Sequence, residues 1–112
     1  MKDKSLKDRL LEDSWWPISK RIFFACDNNF NPSILFSLLI ERHDFLVKKE
    51  IIKTGEWFLY PKEDICSLIN VSSTWVDSAI KPLVEKDLVQ KRFIQGKRIM
   101  YKINIEKFKV IL

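Results

Sequence analysis

Between Trp57 and Ile103 the apolar period switches from strand to helix and back to strand, and few folds accommodate that order. The aromatic run Trp57-Phe58-Leu59-Tyr60 suits a short strand. Pro61 then opens a helix through Ile69, with Glu63 and Asp64 in the first turn, where the helix dipole favours negative charge. Ile65, Leu68 and Ile69 are expected to form its buried face. Asn70-Val71-Ser72 reads as a tight turn, and Ser72 is placed to cap a second helix. In that helix Val76, Ala79, Ile80 and Leu83 fall on one face and point inward. Thr74, Ser78, Lys81 and Glu85 line the opposite side, and Lys86-Asp87 ends it. Leu88 to Ile94 and Arg98 to Ile103 read as two strands joined at Gln95-Gly96-Lys97, where glycine suits a tight connection. Asn104 begins a last amphipathic stretch with Ile105, Phe108 and Ile111 or Leu112 inward.

The upstream half reads as helical. Ser5 before Leu-Lys-Asp-Arg-Leu-Leu-Glu-Asp is placed to cap a short helix with Leu6, Leu10 and Leu11 on one face. Trp15-Trp16-Pro17 ends it, because proline disfavours helical geometry in the residue before it. Ile18 to Asn29 fits either a strand or a buried helical turn. Asn31-Pro32 predicts a helix start, with Ile34, Leu35, Leu38, Leu39, Phe45 and Leu46 facing a core until about Lys49. Lys53 to Glu56 is a turn. The expected fold is α+β and mostly helical: residues 31–112 form one domain, and residues 1–30 form an N-terminal helical extension used for packing or dimerisation.

Several function classes are disfavoured. A chain of 112 residues with 46% hydrophobic and 31% charged content is large enough for a single core. Apolar runs such as Ile34 to Ile40 fall far short of the roughly 20 residues that a membrane span requires. No charged-then-apolar leader opens the sequence, so a cytoplasmic, nucleoid-associated location is expected. Cys26 and Cys66 have apolar neighbours and no metal-ligand spacing, which predicts reduced, packed thiols and no metal. Gly55 and Gly96 are the only glycines, too few for a phosphate-cradling loop. The single histidine, His43, reads as a surface or packing residue, and no catalytic residue or cofactor is expected.

Charge is distributed unevenly. Residues 1–30 carry six Lys/Arg against five Asp/Glu, and residues 31–60 carry four against four. Residues 61–90 carry three against five, whereas residues 91–112 carry seven against one. Lys91, Arg92, Lys97, Arg98 and Lys102 thus make the hairpin a basic stripe, the electrostatic footprint of a polyanion partner. An alternative is an edge hairpin kept from aggregating by its cations.

From about Asn31 onward the chain resembles the winged-helix domain of phage and plasmid replication proteins of the replisome-organiser or DnaD type. The likeness rests on NPSILFSLLIERH, on GEWFLYPKEDICSLINVSSTWVDSAIKPLVEKDLV and on GKRIMYKINIEKF, and it spans about 80 of the 112 residues. It implies a winged helix-turn-helix closed by a C-terminal helix, DNA as partner, and frequently a homodimer. A role as a replication accessory factor of a phage, plasmid or other mobile element follows from the resemblance alone.

One departure from the family pattern matters. Relatives usually carry Arg, Lys or Gln along the exposed face of the second helix, whereas Ser73, Thr74, Asp77 and Ser78 stand here, with Lys81 the only cation before Lys86. Bidentate base reading needs Arg, Lys, Asn or Gln, so this helix is poorly equipped for it. Ser72, Ser73, Thr74 and Ser78 can still bond phosphates together with the backbone amides of the helix start. Asp77 is expected to repel a phosphate, and Pro82 to remove the hydrogen bond to the Ser78 carbonyl. Base stacking on a single strand would fall to Trp15, Trp16, Trp75 or Tyr101, and contact with a protein partner to Trp15, Trp16 or Trp75; core or dimer packing is the alternative for each. Duplex and single-stranded DNA stay open as partners. So do an adaptor role towards a replication helicase or polymerase and a role as a small transcriptional regulator.

Overall fold

One long helix organises the molecule. In the computed structural model, which describes residues 20–94 and 98–107, a short helix α1 (Lys20–Ala25) turns into α2 (Phe30–Lys48). Strand β1 (Phe58–Leu59), helices α3 (Lys62–Ile69) and α4 (Ser73–Glu85), and strands β2 (Val89–Ile94) and β3 (Arg98–Ile103) follow in chain order. A helical turn at 105–107 comes last, begun by Asn104, whose Oδ1 accepts from the Lys107 amide at 3.2 Å. The strands form one antiparallel sheet in the order β1–β3–β2, so β2 is an edge. The fold is α+β: a helix pair joined by a tight turn, followed by a hairpin, in the order expected of a winged helix-turn-helix.

The helix signals act mostly where the sequence places them. Ser72 caps α4, its Oγ accepting from the Trp75 amide at 3.1 Å. Asn70 takes the left-handed conformation (φ 55) that closes α3, and the Val71 amide donates back to the Cys66 carbonyl at 3.1 Å. Glu63 and Asp64 sit in the first turn of α3. Helix α2 begins earlier than Asn31-Pro32 predicts. Asn29 is its N-cap, and Pro32 falls inside the first turn, where amides have no helical partner and a missing N–H costs nothing. The ambiguous segment before it resolves as α1, and Cys26 just beyond packs into the same core as α2.

That core lies between α2, α4 and the inner face of the sheet. Leu35, Phe36, Leu39, Ile65, Val76, Leu83, Val89 and Tyr101 are all buried in it. The inward stripe of α4 is the predicted one, since Val76, Ala79, Ile80 and Leu83 are buried. Two expected core residues are exposed: Phe45 is 48% exposed and Leu68 is 52% exposed. They flank a groove between α2 and α3 floored by Arg42 and Tyr60, because Ile65 and Ile69 already supply the contacts α3 makes with the core. Among the described residues no helix is long and apolar enough to cross a membrane. Trp15, Trp16 and most of the N-terminal extension lie outside the described residues, as do Phe108, Ile111 and Leu112 of the expected C-terminal helix.

Candidate nucleic-acid interface

The hairpin has two chemically different faces, set by strand alternation. Val89 pairs with Ile103, Lys91 with Tyr101 and Phe93 with Ile99, and the burial of Val89, Tyr101, Ile99 and Ile103 marks this as the inner face. Gln90 with Lys102, Arg92 with Met100 and Ile94 with Arg98 therefore form the outer face. The predicted basic stripe is thus divided. Arg92, Arg98 and Lys102 stand on the outer face, Lys91 stands on the inner one, and Lys97 lies outside the described residues. Among the described residues, none of these four cations is ion-paired with a carboxylate, whereas Lys62 is paired with Asp77 and Lys86 with Asp27.

Trp57 enlarges the outer face. It precedes Phe58, which pairs with buried Tyr101, so alternation turns it outward, and the Arg92 guanidinium lies over its ring at 4.4 Å from the centroid. Sequence reasoning took Trp57 only as the start of a strand. The cross-strand register, with Trp57 one residue before the Phe58–Tyr101 pair, is the signal that would have placed it beside Arg92. Trp57 is led in by a loop that His43 anchors. The imidazole is buried, its Nε2 accepts from the Gly55 amide at 3.0 Å, and its Nδ1 lies 3.0 Å from Asp44 Oδ1. An amide can only donate, so Nε2 is the bare nitrogen and Nδ1–H donates to Asp44. His43 is accordingly a packing residue of the interior and not a surface one.

Helix α4 offers a milder surface. Ser72, Ser73, Thr74, Ser78 and Lys81 are exposed, as expected of the face opposite Val76 and Leu83. Asp77 does not stand there as a bare anion, because Lys62 Nζ reaches its Oδ1 at 2.6 Å. Trp75 is half-buried and packs against the core. Tyr101 is 1% exposed, packs 6.2 Å from Phe58 between ring centres, and is no stacking platform. Burial, with a smaller push from the Asp77 carboxylate, raises its phenol pKa to about 12. Burial likewise raises the Cys26 thiol, and both cysteines are free. No cluster of His, Cys, Asp or Glu that could hold a metal occurs among the described residues.

The start of α4 and the inner face of the hairpin meet across a cleft of about 590 Å³. Ser73 lines it from α4, Cys66 and Ser67 from α3, and Phe93 and Ile99 from the hairpin. Phe93 is 65% exposed there, because the helices cover only the base of the hairpin and stop short of its outer half. Its place two residues from Lys91 on one strand is the sequence signal that sets Phe93 on the opposite face from Arg92.

No protein-family model matches this chain, and no curated protein matches it in sequence. Solved structures do share its fold. It is similar to a chain described as the N-terminal domain of a DNA-binding protein, with a TM-score of 0.60 and 16% identity over 97% of this chain and 93% of that one. A chain described as an MDR initiator aligns with a TM-score of 0.59 and 16% identity over 97% of each. One from a Rep–DNA complex aligns with a TM-score of 0.59 and 16% identity, over 96% of this chain and 92% of that one. Identity this low shows a common fold.

Proposed function

We propose that this protein is a non-enzymatic DNA-binding protein that serves replication, as an accessory factor of a phage, plasmid or other mobile element. The observation that carries the reading is the hairpin: Lys91, Arg92, Arg98 and Lys102 project from it without carboxylate partners among the described residues, and the amide-rich start of α4 lies across a cleft from its inner face. Unpaired cations on a two-stranded ribbon attract phosphates and release their counterions, which supplies most of the sequence-independent affinity for DNA. The start of α4 adds Ser72, Ser73 and Thr74 as neutral phosphate donors, which position a backbone without reading its bases. Similarity to an initiator and to a Rep–DNA complex supports replication over other uses of the fold. The replisome-organiser or DnaD-type assignment and dimerisation through residues 1–30 belong to the same proposal.

Titration of labelled duplex across salt tests it. Five phosphate contacts, Lys97 included, would give a slope of log affinity against log salt of about −4.5 on duplex and about −3.5 on a single strand. If one backbone follows only the outer-face trio Arg92, Arg98 and Lys102, the duplex slope shrinks to about −2.7. Affinity independent of salt would overturn the reading. A second reading, an adaptor for a replication helicase or polymerase, draws on the exposed Phe45 and Leu68 beside the α2–α3 groove and on the near-neutral face of α4. It requires that Phe45→Ala abolish partner binding with DNA affinity intact.

A further inference from the structure

We infer that the cleft between the inner face of the hairpin and the start of α4 holds one unpaired nucleobase of single-stranded DNA, packed against Phe93. The inference rests on the DNA-binding reading above and names the form of DNA that this site takes. Three observations converge. Phe93 is a large aromatic left 65% exposed on the face of the sheet where Val89, Ile99, Tyr101 and Ile103 are buried. Its ring opens onto a cleft whose volume, about 590 Å³, falls within the ~300–1,000 Å³ of small-ligand sites. Lys91 Nζ lies over the same ring at 5.4 Å from its centroid, so a cation without a carboxylate partner among the described residues stands beside the aromatic. Cation and aromatic side by side are the pairing that single-strand binding uses, the first for the backbone and the second for the base.

The chemistry of the lining decides between a base and a phosphate as occupant. Lys62 lines the cleft, but its ammonium is committed to Asp77 at 2.6 Å. Glu63 lines it too, and its carboxylate repels a phosphate while accepting from the exocyclic amino group of cytosine or adenine. Ile99, Cys66 and Phe93 give the interior an apolar floor, which favours a flat neutral ring over an anion. The backbone then runs outside the cleft, past Lys91, and only the base enters. A base paired in a duplex presents no free ring face, so the site discriminates in favour of a single strand.

Fluorescence anisotropy with a labelled oligo-dC, an oligo-dC of equal length carrying abasic positions, and a blunt duplex tests this on wild type and Phe93→Ala. Loss of one base–aromatic stack corresponds to roughly 5- to 150-fold weaker binding. Phe93→Ala is expected to lose that much on oligo-dC and less than about 2-fold on duplex, where phosphate contacts dominate. The abasic strand should bind wild type and Phe93→Ala alike. Because the side chain is mostly exposed, the thermal midpoint of the variant should match wild type, and the abasic strand tests the site on the unmodified protein in any case. Oligo-dC affinity unchanged by Phe93→Ala, an equal loss on duplex, or abasic and intact strands bound equally by wild type would each overturn the inference. If salt-dependent binding to duplex survives such a result, the base site alone falls. If wild type binds none of the three, the DNA-binding reading falls with it.

Discussion

Helix α4 and the β2–β3 hairpin pack against each other, yet they present opposite chemistry to solvent. The exposed face of α4 carries hydroxyls, one free lysine and an aspartate already satisfied by Lys62. Among the described residues, the hairpin carries four cations without a carboxylate partner, with Trp57 and Phe93 among them. A helix-turn-helix that reads base sequence concentrates Arg, Lys, Asn or Gln on its second helix. Here the charge stands on the ribbon, which on the proposed reading would grip a backbone without reading its sequence. On the DNA-binding reading proposed above, affinity would come from the hairpin, while α4 would set only how the molecule sits.

The sharpest way to break that comparison is to exchange the losses. Replacing Lys91, Arg92, Arg98 and Lys102 together by Ala should weaken duplex binding at physiological salt by on the order of 1,000-fold and flatten the salt dependence. Replacing Ser73, Thr74 and Ser78 together by Ala should cost about 10-fold or less, since each loses only a neutral hydrogen bond. Filter binding or anisotropy at matched salt measures both. A triple serine/threonine variant as damaged as the hairpin variant would reverse the assignment.

Tyr101 joins the two regions, because it faces the core from the hairpin and carries the influence of Asp77 from α4. An unfolded tyrosine loses its proton near pH 10, whereas this phenol, buried and facing a carboxylate, holds it to about 12. Between those values the unfolded chain binds fewer protons than the folded one, so stability is intact below pH 10 and falls as pH rises. The full effect is about 3 kcal/mol. Denaturant titrations at pH 9 and pH 11 should show Tyr101→Phe losing less stability than wild type over that interval. Equal losses would mean the hairpin root is open to solvent.

His43 tests the outer face from a distance. His43→Ala leaves the Gly55 amide without its acceptor and should cost about 1–3 kcal/mol, read as a lowered thermal midpoint. Because that loop leads into Trp57, the Trp57–Arg92 contact should loosen too, and tryptophan emission should shift. Destabilisation without an emission change would separate the loop from the hairpin face.

Much of the framework was legible because it depends on local rules. Ser72 as cap, Asn70 in the turn, the inward stripe Val76 to Leu83 and both long strands follow from periodicity and capping within a few residues. The misreadings arise where tertiary packing decides. Phe45 and Leu68 have apolar side chains at helical spacing, yet the core is filled without them. Tyr101 stays open in the sequence between a stacking platform and a packed residue, and alternation settles it inward against Phe58. The basic stripe is continuous in sequence and split in space, because neighbouring residues of a strand point to opposite faces. Lys62 and Asp77 lie 15 positions apart, so nothing in the sequence announces that one neutralises the other.

That pair yields the smallest effect and the finest test. Lys62 is largely sheltered while Asp77 is 59% exposed, so the ion pair contributes only about 0.2–1 kcal/mol to stability. Asp77→Asn should therefore leave the thermal midpoint nearly unchanged. Its consequence for DNA is different: it removes the carboxylate from the exposed face of α4 and releases the Lys62 ammonium. If that face meets a backbone, duplex affinity should rise by roughly 2- to 5-fold, and the gain should shrink as salt increases. A helix that never approaches the phosphates would show no gain at any salt. The hairpin would then bind alone, and α4 would serve only to support it.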